Sequence, residues 1–258
     1  MGEAVAMASM GDVIALGTGT YEEVVILPPG VTLYGACPSE TIIRESSGGS
    51  AVVTASGADV RVANLTIGAS GRPGADAAGA GRSLVLDDVI VESTTDMGVV
   101  AAGGGRIEAR RVVIRDIVPT GGLNRGLSVE SGGVFEGEDV VVDGAALVGL
   151  YVTGAGSTAT IDGVALVGTR EGDNSGLGML VTAGGAATLR RAAIEGNEGA
   201  GGFTDGEGTT LVIEDSVLRG NLPTARGEFG RALNFERGAH GDLRRVYVGG
   251  HRDVAFYL

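Results

Sequence analysis

The 258-residue chain has no tryptophan, one cysteine, six prolines, five tyrosines and five phenylalanines. So few large rings exclude a globular core built around aromatic anchors. The single Cys37 excludes an intrachain disulfide and a cysteine-rich zinc site, and it reads as a small buried apolar residue. Scarce proline, and 48 glycines that follow no three-residue period, exclude collagen. No apolar run approaches the ~18 residues of a membrane-spanning helix, so no membrane insertion is expected. The opening "MGEAVAMASMGDVIAL" has neither a basic n-region nor an A-x-A site, so this stretch is not expected to be a signal peptide. Positive charge is short as well. At a formal −13 the chain lacks the basic footprint that releases counterions from nucleic acid, and anionic membrane surfaces are disfavoured likewise.

What the chain does have is a repeat. The residues preceding each V-x-I-like triplet are Asn64, Asp88, Arg111, Asp139, Gly163, Arg191, Asp215 and Arg245, at intervals of 23 to 30 residues. Apolar residues lie four and two places earlier, as at Ile107 and Ala109 or Leu211 and Ile213. A further short segment follows each triplet, usually opened and closed by glycine: "GLSVESGG", "GLYVTGAG", "GMLVTAGG", "GGFTDGEG". Each repeat thus reads as three short period-2 strands, with no stretch amphipathic enough for a helix. A single repeat cannot bury its apolar face, so the repeats must stack into one continuous core.

Stacking makes sense of the charges. The two residues ending at each anchor run Asp87-Asp88, Arg110-Arg111, Glu138-Asp139, Asp162-Gly163, Arg190-Arg191, Glu214-Asp215 and Arg244-Arg245. The position after the triplet runs Glu92, Arg115, Asp143 and later Glu195, Arg219. If equal positions of successive coils lie ~4.8 Å apart, opposite charges attract across the step and penalise a slipped register.

These features resemble the right-handed parallel β-helix of the pectate-lyase-like superfamily, and "GDVIALGTGTYEEVVILPPGVTLYGACPSETIIR" is similar to the opening coil of its secreted bacterial repeat proteins. The resemblance implies an all-β solenoid of about nine coils in one domain, 1–258, with 1–40 as opening coil and N-terminal cap and 41–258 as regular coils. It also implies an extracellular or cell-surface location. It carries no catalytic motif. Asp87-Asp88 is similar to the adjacent aspartates of polygalacturonases, but the Asn-Thr-Asp, Gly-His-Gly and Arg-Ile-Lys of that family are missing, with only His240-Gly241 to offer. The calcium-binding aspartates and catalytic arginine of pectate lyases have no counterpart either. No catalytic residue, metal ligand or cofactor is assigned.

Smaller signals resolve the same way. "GDNSG" supplies too few oxygens for calcium, and "AGGGRIE" recurs as turn chemistry rather than as a phosphate cradle. His240 and His251 read as loop residues, and the sequon at Asn64 falls on a strand. In the closing "HRDVAFYL", Val254 and Phe256 take inward positions of another coil, which leaves three readings of that edge: end-to-end association, continuation in a longer chain, or closure by Phe256, Tyr257 and Leu258 themselves.

The repeat is interrupted at every second coil by a long loop: "RDIVPTGGLNR" (115–125), "VGTREGDNSGL" (167–177) and "RGNLPTARGEFGR" (219–231). Loops of alternate coils project from one side at ~10 Å intervals. Their polar residues Asp116, Asn124, Arg125, Arg170, Glu171, Asp173, Asn174, Asn221, Arg226 and Glu228 are the candidate ligand-binding set, suited to hydroxyl recognition. Phe229 is the only aromatic among them, which weakens a glycan-binding role for the loops themselves. Three functions compete. A non-catalytic scaffold binding a polysaccharide or protein ligand through these loops leads. A polysaccharide lyase or glycoside hydrolase would need two converging carboxylates. A passive spacer would tolerate deletion of a loop.

Overall fold

The computed structural model describes residues 1–45, 51–69, 73–119, 124–170 and 176–258. Alternating apolar residues, many of them β-branched, favour extended strands with one face inward. From Val60 onward each repeat forms one ten-residue strand and then a shorter one: Arg106–Arg115 then Arg125–Glu130, Val134–Asp143 then Val148–Thr153, and so on to His240–Gly249. The eight ten-residue strands, with four shorter ones from the N-terminal coils, stack in parallel into a 12-stranded sheet, and the strands that alternate with them into a 10-stranded sheet. Each strand pairs with its equivalents one coil before and one coil after, as Ile107 does with Leu84 and Phe135. The result is a right-handed parallel β-helix of about nine turns.

Three straight segments per coil are present, but two of them are the arms of one bent strand. The bend falls on the anchor residue. Asn64, Asp88, Arg111, Asp139, Arg191, Asp215 and Arg245 all have φ between 48° and 58°, and Gly163 has φ 73°. This left-handed conformation interrupts the alternation, so Ile107 and Ala109 point inward, Arg110 and Arg111 both point outward, and Val112 and Ile114 point inward again. That is why the charges come in pairs. A corner has two consecutive solvent-facing residues where a straight strand has one.

The ladders form as the stacking requires. Arg110 lies in register with Asp87 and Glu138, and position 111 falls between these pairs and the Val112–Val140 pair. Arg111 donates Nε to Asp88 at 2.6 Å and its Nη2 to Asp87, which also receives Arg61 at 2.5 Å. Asp87-Asp88 is therefore a partner for arginines. Arg115 meets Glu92 at 2.6 Å, Arg219 meets Glu195 at 2.9 Å and Arg245 meets Asp215 at 2.5 Å. Where acid meets acid, Glu138 beside Asp162, the latter turns to Arg191 at 2.7 Å. The chain has no lysine: all 19 cationic side chains are arginine, whose fork can span two carboxylates where an ammonium acts as a point charge.

The short strands are opened by a glycine column. A Cβ on Gly98, Gly126, Gly149, Gly178 or Gly201 would come within 2.5–2.7 Å of the carbonyl oxygen of the next coil. No side chain fits there without spreading the coils. Behind this column the core is continuous from Leu16 to Leu233, built of Leu, Ile, Val and Ala with Phe135 its largest fully buried side chain.

Several expectations are corrected. The N-terminal cap contains a six-residue helix, Gly2–Met7, which the strand periodicity did not suggest; Val5 and Ala8 pack on the first core layer, and the Gly2 amide donates to Glu23 at 2.9 Å. Cys37 is half-buried and touches the Ser39 hydroxyl at 3.2 Å, because it sits in a turn rather than in the core. His240 opens a strand instead of lying in a loop. Phe256 pairs beside inward-facing Leu233, yet both it and Val254 are exposed, since no coil covers that side.

Two outcomes follow from this packing. Gly149→Ala should lower stability by ~1–3 kcal/mol through overpacking, read as a shift in the denaturant midpoint; an unchanged midpoint contradicts the close approach. The carboxyls of Asp88, Asp205, Asp215 and Asp253 are held below their ordinary range, chiefly by hydrogen bonds from Arg111, Arg237, Arg245 and Arg231. Depressed carboxylates stabilise the fold above the unfolded value of ~3.9 and lose that contribution as pH falls through the folded values. Thermal melts should therefore drop steeply below about pH 4, and more shallowly in high salt; a midpoint insensitive to acid would refute the ladder's role.

Candidate functional site

The long loops leave from one corner, between the long-strand and short-strand sheets. The connections there alternate: 93–96, then 116–124, 144–147, then 168–175, 196–198, then 220–230. The candidate residues among the described ones do not converge. Asp116 is exposed and adopts φ 55° as its amide donates to the Asp143 carbonyl. Asn124 is buried at the foot of the first loop. Arg170 donates to the Gly144 carbonyl at 2.9 Å. Asn221 is fully buried, its Oδ1 accepting from the backbone and side-chain amides of Asn197 at 3.1 Å, which ties one coil to the next. Arg226 and Glu228 are exposed near the tip of the third loop. Glu171, Asp173 and Asn174 lie outside the described residues. Asp116 and Asn221 are separated by four coils, ~19 Å, so the described parts of the loops form a wall rather than a catalytic cluster.

The wall borders a surface that the loop sequences did not reveal. On the short-strand sheet, the residue two places after each column glycine or its equivalent points away from the core, and its register runs Asp76, Val100, Ser128, Tyr151, Leu180, Phe203, Asn234 and Tyr257, of which Val100, Ser128 and Asn234 are covered by their neighbours. Three of the chain's ten aromatic residues thus occupy one column, each two coils from the next, ~10 Å apart. A parallel column two places on carries Glu130, Thr153, Thr182, Asp205 and Glu236.

At one end of the aromatic stretch of this face Arg125 is a buried structural cation. Its Nη1 meets Glu130 Oε1 at 2.6 Å and Ser128 Oγ at 3.2 Å, and its Cζ lies 3.5 Å from the centroid of the Tyr151 ring. At the other end Arg231 lies between rings, 5.1 Å from Phe229 and 4.5 Å from Tyr257, with Nε on Asp253 at 2.7 Å. This arrangement holds the 220–230 loop against the sheet. Between the two arginines a cavity of about 260 Å³ opens, lined by Leu177, Leu180, Gly199, Ala200, Phe203, Phe229 and Asn234.

The acids of the face differ in state. Asp205 is chelated by both forks of Arg237 and held below its ordinary range by that hydrogen bonding. Asp76 is raised, because burial outweighs its Thr54 and Arg82 neighbours, and its Oδ1 has no hydrogen-bond partner. No group of three or more His, Cys, Asp or Glu side chains placed to share a metal ion occurs among the described residues.

No protein-family model matches the chain, and no curated protein matches it by sequence. Solved structures match it by fold. Geobacillus virus E2 ORF18 superposes with a TM-score of 0.67 at 12% identity, covering 95% of this chain and 51% of the viral protein, so the chain spans about half of that protein's length. Pectate lyase Pel9A gives 0.63 at 12% identity, with 95% and 72% covered. The A-module of the Azotobacter vinelandii mannuronan C-5 epimerase AlgE4 gives 0.56 at 16% identity, with 99% and 91% covered. At these identities the likeness establishes the β-helix architecture.

The nook around Arg125 makes a direct prediction. Arg125→Met strands Glu130, and stability should fall by ~2 kcal/mol, short of the ~3–5 kcal/mol of a fully buried pair, because the Glu130 side chain keeps 28% of its surface in solvent. Denaturant unfolding measures this, and a loss within error of zero would show that the pair is not integral to the face.

Proposed function

We propose that the protein is a non-catalytic glycan-binding β-helix, and that its ligand lies along the outward face of the short-strand sheet, beside the wall of long loops. The column from Tyr151 through Leu180, Phe203 and Asn234 to Tyr257 carries this reading. A parallel sheet repeats every ~4.8 Å, and an extended polymer of repeating units is the ligand class that can match a surface repeating on that scale. Aromatic and aliphatic side chains on such a face offer contact to the apolar faces of sugar rings.

Charge favours a neutral polymer. Arg125, Arg231 and Arg237 are each engaged by a carboxylate, leaving this face without a spare cation at those positions, and the chain as a whole stands at −13. A polyuronate would meet net repulsion. Catalysis is disfavoured by the same pairs, since Glu130 and Asp205 are committed to arginines.

One observation favours a hydrolytic alternative: Asp76, with its raised carboxyl, has the character of a general acid. It stands in the same column, five coils from Phe203.

Affinity electrophoresis separates the readings. Mobility should be retarded in gels containing neutral soluble polysaccharides, with N-acetylated ones among them, and unaffected by polygalacturonate. Phe203→Ala should weaken retardation by about tenfold in apparent affinity, a loss of the size expected for one aromatic anchor. Retardation by none of the glycans would end the binding proposal. Release of reducing sugar that disappears in Asp76→Asn would replace it with the hydrolytic one.

A further inference from the structure

Resting on that glycan reading, we infer that the cavity between Leu180, Phe203 and Phe229 is a subsite for the acetamido group of an N-acetylated amino sugar. At about 260 Å³ the cavity falls below the ~300 Å³ at which pockets enclose a whole small ligand, so it takes a substituent of a larger chain lying on the sheet. Its walls are apolar apart from Asn234. A bare hydroxyl placed there would lose water and find almost nothing to bond with, whereas a methyl group needs no partner.

Asn234 makes the pocket specific. Its side chain is 1% exposed and lines the cavity, and its Oδ1 has no hydrogen-bond partner. Buried side-chain oxygens are almost always satisfied; this one is shielded from solvent as it stands, so it takes a donor once the Asn234 amide turns toward the cavity beside it. The donor must come attached to an apolar group that fills the space beside Leu177, Leu180 and Phe203. An acetamido group has both parts: its N–H donates to Asn234 Oδ1 and its methyl occupies the aliphatic and aromatic wall.

Position agrees with chemistry. Asn234 lies in register between Phe203 and Tyr257 on the face assigned to the glycan, so the substituent enters sideways while the sugar backbone continues along the column. Phe229, from the third long loop, closes the cavity from above and is itself held by Arg231. The alternating long loop thereby acquires a role: it supplies the lid of a subsite.

The test uses two hexasaccharides of the same β-1,4 linkage that differ at carbon 2, one of N-acetylglucosamine and one of glucose, titrated calorimetrically into the intact protein. The acetylated hexamer should bind at least about tenfold more tightly, the discrimination expected of a pocket built around a hydrogen bond and a methyl group. Asn234→Leu, which keeps the branched shape and removes the orphan oxygen, should bring the two affinities together, and Phe229→Ala, at an exposed loop position, should do the same without altering a strand residue. Equal binding of both hexamers by the unaltered protein overturns the acetamido subsite and leaves the glycan reading standing. Binding of neither, together with no retardation on any glycan gel, overturns both. A preference that persists in both variants also overturns the assignment of this cavity.

Discussion

The parallel backbone hydrogen bonding that sets one coil upon the next at ~4.8 Å governs the rest of the structure. It makes position i of one repeat the lateral neighbour of its equivalents 23 to 30 residues away, so each sequence column becomes a physical row. Apolar rows make the core, glycine rows allow the approach of the short strands, and charged rows hold the register. None of these rows exists within a single repeat, which is why the architecture gains stability only by stacking.

The corner conformation converts this stacking into a charge ladder. Seven non-glycine residues accept the left-handed region at the bend, a conformation unfavourable for L-residues other than Asn and Asp. Four of the seven are Asn or Asp, in keeping with that preference. The other three are Arg111, Arg191 and Arg245, each fastened to an acid of a preceding coil. Because the bend turns two consecutive side chains to solvent, the anchor and its predecessor carry charge together.

The same lattice builds the outward face. Tyr151, Phe203 and Tyr257 are remote in sequence and adjacent in space only because each lies two places after the equivalent of a column glycine. Two buried or half-buried arginines bracket that face, each against a ring and a carboxylate, so the apolar stretch between them is framed by neutralised charge. The long loops contribute through Phe229 and through the buried feet Asn124 and Asn221, while the other described polar residues on them stay dispersed.

Much of this was legible in the chain. The repeat spacing and its period-2 alternation determine a parallel solenoid, because no other arrangement buries every apolar row, and the alternating signs at positions 87–88, 110–111 and onward determine its register. The aromatic column could have been read from the strands "GLYVTG" and "GGFTDG" by counting two residues from the glycine. Other features were beyond the sequence. The left-handed bend at Arg111, the helix at Gly2–Met7 and the burial of Arg125 depend on which surfaces meet after stacking. The unpartnered oxygen of Asn234 depends on what fails to meet. Local pattern decides which way a side chain points, and only the assembled coils decide what it finds there.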